Sequence, residues 1–72
     1  MEDKVLEMMK EVFEIDDITT DVSQKNCERW DSLHHLTLAS ELEDAFDVEL
    51  EPEEIGQMTD FAKVIDVLRK KL

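Results

Sequence analysis

The sequence predicts an all-α protein, a small four-helix bundle with a long loop between its first two helices and a short third helix. Three observations carry this reading. Apolar residues recur at three- and four-residue spacing in three separate segments. Nothing alternates with period two over a useful length, so no sheet is expected. The only glycine and the only proline both fall near the short third helix. With 72 residues, the chain forms a single domain, 1–72, near the lower size at which one apolar core holds without cross-links.

The first helix is expected from about Glu2 to Glu14. Val5, Leu6, Met9, Val12 and Phe13 keep the helical period, and Glu2 and Asp3 sit where carboxylates suit the positive end of the dipole. Residues 16–30 break every period and mix Asp, Thr, Ser and Asn with Ile18, Val22, Cys27 and Trp30. A loop of that length in a small domain is functional or anchored by its own side chains. The period returns from Ser32 to Phe46, with Leu38, Ala39, Leu42, Ala45 and Phe46 on one stripe at 100° per residue. Pro52 suits the first position of a short helix around Glu53 to Gln57. The last helix places Phe61, Val64, Ile65, Leu68 and Leu72 on one face, with Thr59 as cap, Asp60 at the start, and Arg69, Lys70 and Lys71 at the negative end of the dipole. Helices of this kind bury their stripes only against one another, and the long loop crosses the end of the bundle.

Charge narrows the function. Twenty acids against eight bases give a formal charge of −12. Such a surface repels DNA, RNA and anionic membranes, so no nucleic acid and no membrane is expected as a partner, and the partners should be basic. Self-repulsion should make the fold more stable in salt. The single cysteine, Cys27, allows no disulfide within the chain, which fits a reducing compartment. The N-terminus lacks a basic segment followed by a long apolar run, and no stretch approaches the length of a membrane helix. A cytoplasmic protein is expected.

The second helix contains a conflict that a purely structural helix would not need. Leu33 lies about 180° around the axis from Leu42 and Leu36 roughly 120°, so both should be exposed. Beside them stand Glu41, Glu43, Asp44 and, just past the helix, Asp47, with no Lys or Arg between Ser32 and Phe46. Acids at the C-terminal end oppose the helix dipole and lack basic neighbours to offset them. An apolar spot rimmed by acids suits the docking of basic partners, with the rim steering encounter and the leucines adding affinity. An ordinary solvated face with scattered surface leucines is the plainer alternative.

At the start of that helix the run Trp30-Asp31-Ser32-Leu33 resembles the Asp-Ser-Leu signature of acyl carrier proteins. The helix ends as the family's does, here in Leu42-Glu43-Asp44-Ala45-Phe46-Asp47-Val48-Glu49-Leu50, and the helix order matches over essentially the whole chain. The resemblance implies a carrier, not an enzyme: there is no catalytic residue and no resident metal. Ser32 would bear a 4'-phosphopantetheine arm, making the chain a phosphoprotein, and the arm's thiol would hold acyl groups as thioesters for fatty-acid, polyketide or related lipid and specialised biosynthesis. Asp31 would help hold a magnesium ion in the complex with the phosphopantetheinyl transferase. Leu33, Leu36, Glu43 and Asp44 match positions that dock the transferase and the acyl-loading and acyl-processing enzymes, which carry basic docking patches. The carrier would act as a monomer. Arg29 stands where the family usually has glycine, Trp30 replaces a small residue, and His34 and His35 are uncommon in the fatty-acid branch. His35 falls on the inner stripe, where it could line a tunnel for an acyl chain or be packed and hydrogen-bonded.

Other chemistries fit less well. Ser32 alone could be a plain N-cap. A serine hydrolase would need a Gly-x-Ser-x-Gly elbow and more chain around it. Asp17, Thr19, Asp21 and Glu28 have the spacing of a calcium loop, but Val22 occupies the position that requires glycine. Cys27 beside Glu28 is disfavoured as a thiolate.

Overall fold

The computed structural model describes Met1–Leu72 and contains four helices, α1 (Glu2–Phe13), α2 (Ser32–Phe46), α3 (Pro52–Gln57) and α4 (Phe61–Lys71). Their inner faces meet in one core whose fully buried members are Val5, Met9 and Phe13 of α1, Leu38 and Leu42 of α2, Met58, and Val64 and Leu68 of α4. None of the helices is long and apolar enough to cross a membrane.

Each helix ends for a local reason. Glu14 closes α1 in the left-handed region, φ 56°, and Asp47 closes α2 likewise, φ 55°. Glycine is the usual residue at such a position. Glu51 and Glu54 form a reciprocal capping box around Pro52 at the start of α3. Asp60, not Thr59, caps α4: its Oδ1 accepts the Lys63 N–H at 2.9 Å. Thr59 instead accepts from Lys63 Nζ at 3.3 Å.

Four positions depart from the expected pattern. Ala45, on the expected stripe, is exposed in the last turn of α2. Leu72 is 67% exposed beyond the end of α4, whereas Val67, outside the expected stripe, is buried. Met58, in the link between α3 and α4, belongs to the core rather than merely closing a turn.

The loop between α1 and α2 is tied down. An isolated antiparallel bridge joins Ser23 and Asp60, flanked by Gln24 N–H to Thr59 O and Phe61 N–H to Val22 O, both 3.0 Å. Inside the loop Asn26 links Ser23 and the Asp21 carbonyl at 2.8 and 2.9 Å. Val22 and Trp30 are buried and fasten it to the core. This is the self-anchored alternative for a long loop.

Candidate functional site

Ser32 is exposed and is the first residue of α2. It is not the cap. That place is taken by Asp31, whose Oδ1 accepts the His34 N–H at 2.9 Å and contacts His34 Nδ1 at 2.8 Å. With the cap supplied by its neighbour, the Ser32 hydroxyl is left at the mouth of the helix. The first N–H groups of an α-helix have no intrahelical partner and aim at this point, where the dipole is positive. An anion attached to Ser32 would meet donors.

The carboxyl of Asp31 is held below its ordinary pKa, chiefly by the backbone hydrogen bond from His34 and then by the His34 side chain. Both contacts fall on Oδ1. Asp31 therefore remains an anion through the neutral range.

The residues that depart from the usual signature act together. Trp30 is buried and packs on Phe13 with ring centroids 5.2 Å apart. Its indole N–H donates to His35 Nδ1 at 2.9 Å, and His35 Nε2 lies 2.7 Å from the Ile55 carbonyl of α3. An indole N–H only donates and a carbonyl only accepts, so the ring is the neutral tautomer protonated at Nε2. His35 is thus packed and hydrogen-bonded, joining loop, α2 and α3 one turn from Ser32. His34 stacks edge-on against Phe13 at 6.3 Å. Arg29 donates from Nε to the Phe13 carbonyl at 2.9 Å and pairs with Glu14 at 3.3 Å, closing the exposed end of α1. Where glycine would give freedom, this chain has a clamp.

Leu33 and Leu36 are 77% and 58% exposed, as the helical phase requires. Asp44 and Glu41 lie exposed along the same helix. Glu43 differs: it is half-buried, and its Oε2 accepts the Leu50 N–H at 2.8 Å, so it also holds the segment after α2 in place. That contact, like the Trp30–His35–Ile55 chain, runs from a helix to a segment outside it, where helical periodicity does not reach.

The spacing of Asp17, Thr19, Asp21 and Glu28 does not become a cation site. Thr19 Oγ1 donates to the Asp21 carboxylate, and no cluster of three or more His, Cys, Asp or Glu side chains suited to a metal occurs in the chain. Cys27 is a half-buried free thiol.

No family model matches the sequence, and none of the curated proteins matches it. Among solved structures, the chain is similar to the solution NMR structure of the holo acyl carrier protein from Geobacter metallireducens, with 26% identity and a TM-score of 0.86, over 97% of this chain and 83% of that one. The all-helical fold is therefore that of an acyl carrier protein, a carrier and not an enzyme.

Proposed function

We propose that this acyl-carrier-type domain carries 4'-phosphopantetheine on Ser32 Oγ and presents thioester-bound acyl groups to the enzymes of a fatty-acid, polyketide or related pathway. The observation that carries the reading is the exposed Ser32 at the first position of a 15-residue helix whose cap is supplied by Asp31. A phosphodiester there would accept from the free N–H groups of the first turn. The group fits because the Ser32 hydroxyl is not consumed by capping and the neighbouring side chains leave it open. In the attachment reaction a transferase joins the Ser32 oxygen to the phosphorus that bears the pantetheine arm. The pyrophosphate link of coenzyme A breaks, adenosine 3',5'-bisphosphate leaves, and the hydroxyl proton passes to a base on the transferase. Asp31 Oδ2, which has no hydrogen-bond partner in the chain, is the atom available to the magnesium ion of that complex.

Once loaded, the chain contributes tethering and recognition. The arm's thiol supplies the thioester, and the tether raises the cargo's effective concentration at each docked enzyme. Leu33 and Leu36, flanked by Glu41, Glu43 and Asp44, form the face that meets basic patches on those enzymes. An electrostatically steered interface permits rapid exchange between partners. We infer a cytoplasmic monomer from its charge and its lone thiol.

The test is intact mass after incubation with coenzyme A, magnesium and a broad-specificity phosphopantetheinyl transferase, with Ser32→Ala alongside. One added phosphopantetheinyl group in the parent and none in the variant is expected. An unmodified parent with several transferases would replace this reading with that of an unmodified acidic adaptor.

A further inference from the structure

The fold uses both ring nitrogens of His35, and neither partner is charged. Nδ1 accepts the Trp30 indole N–H at 2.9 Å, and Nε2–H donates to the Ile55 carbonyl at 2.7 Å. No carboxylate pairs with the ring. The charged groups of the surrounding elements are engaged elsewhere. Glu14, at the end of α1, pairs with Arg29 of the loop. Asp31 and His34, at the start of α2, pair with each other. On α3, Glu54 pairs with Lys71 of α4 and completes the capping box with Glu51. The indole has no second acceptor: its N–H makes this one bond, and Trp30 is only 3% exposed, which leaves water little access.

A proton on His35 acts on the two bonds in opposite ways. An imidazolium has two N–H donors and no acceptor. Toward Ile55 the bond becomes charge-assisted and tightens. Toward Trp30 two N–H groups face each other where a bond of 2.9 Å had been, and a buried donor left without a partner is costly. The ring therefore stays with α3, and the indole is the partner released. Trp30 is the last buried residue of the loop and stands next to Asp31, the cap of α2.

We propose that His35 is a proton-operated latch. Neutral, it fastens the loop to α2 and α3 through Trp30; protonated, it keeps α3 and lets the indole go, freeing the segment that leads into α2. The latch belongs to the fold and works whatever Ser32 carries. Because a single proton is taken up, the ratio of released to held form should rise about tenfold for each pH unit below the titration of the ring.

The test is an NMR titration of the isotope-labelled full chain from about pH 8 to about pH 5, the range in which imidazoles change charge. Long-range nitrogen–proton spectra read the tautomer and protonation of each imidazole, and the indole N–H of Trp30, the one tryptophan, reads the latch. His35 should begin as the tautomer protonated at Nε2. As its ring titrates, the indole signal should move upfield with the same midpoint, while the Gly56 nitrogen, in the peptide group of the Ile55 carbonyl, moves downfield. His35→Gln offers an amide oxygen to the indole and an amide N–H to Ile55 without a titrating proton, so its indole signal should not respond; His34→Gln should keep the response. An indole signal that stays fixed while His35 titrates, a response that follows His34 or the carboxylates, or a ring that stays neutral throughout would overturn the latch. If His35→Gln does not fold, the two midpoints in the parent protein decide the matter alone.

Discussion

Helices α2 and α4 begin alike and end differently. Each is capped by an aspartate that accepts the N–H three residues on, Asp31 from His34 and Asp60 from Lys63, both at 2.9 Å. Each buries a stripe of aliphatic residues. At the C-terminal end, α4 places Arg69, Lys70 and Lys71 where the dipole favours cations, whereas α2 has no base in its last turn and carries Glu43 and Asp44 there. On its outer face α2 exposes Leu33 and Leu36. The difference separates two demands on a helix. α4 follows the rules for stability throughout; α2 follows them on its inner face and departs from them on the face proposed above for docking.

The largest test of this contrast lies on the inner faces, where the helices should be equivalent. Leu42→Ala in α2 and Leu68→Ala in α4 each remove a fully buried side chain and should each destabilise the fold by about 2–5 kcal/mol, read from denaturant midpoints. A negligible loss at Leu42 would mean that the inner face of α2 is as dispensable as its outer one. The outer face should respond in the opposite sense. Asp44→Lys supplies the missing cation at the end of α2 and should stabilise the protein by about 0.3–1 kcal/mol while weakening binding to a basic partner enzyme, measured by titration calorimetry. Loss of stability would contradict the dipole argument, and unchanged binding would move the docking face elsewhere. Asp44 serves better here than Glu43, whose carboxylate also holds Leu50.

The smallest effect is in pH. Asp31 is held below its ordinary pKa of 3.8 by the His34 hydrogen bonds, so its contribution is full above that value and fades as pH falls through the lower, folded-state one. Glu54 is held below 4.5 by Lys71 and the Glu51 N–H and behaves in the same way. Lys71, raised above 10.5 by Glu54, contributes below that value and loses its share as pH rises through the folded-state one. Acid should therefore loosen both the start of α2 and the α3–α4 tie, whereas alkali should loosen only the tie. Denaturant midpoints for Asp31→Asn and Glu54→Gln across both ranges will check this. An alkaline loss that persists in Glu54→Gln would assign it to another group.

Much of this was readable in the sequence, because helical phase is a local property. The bounds of α2 and the exposure of Leu33 and Leu36 follow from counting at 100° per residue. Phase fails at Ala45, which the stripe places inside and the structure exposes, and where adjacent polar residues compete for one cap, as Thr59 and Asp60 do. It is silent on contacts made across the fold. Nothing in the spacing of Trp30 and His35 indicates that the imidazole would bridge the indole to Ile55 of α3, or that Arg29 would close α1. The place of Ser32 at the start of α2 was readable in the sequence; the clamp around it needed coordinates.

The pairing of Val22 with Phe61 has a consequence for synthesis. Phe61, Val64 and Leu68 share one core cluster with Val5, Met9 and Phe13, and the middle of the loop between α1 and α2 is joined backbone to backbone to Thr59 and Phe61. A nascent chain that has delivered Ser32 but not yet α4 lacks the α4 share of the core and the backbone fastening of the loop. Ser32 leaves the ribosome on an unfinished scaffold, and on the function proposed above a transferase that recognises the folded start of α2 would wait until residues 59–68 have emerged.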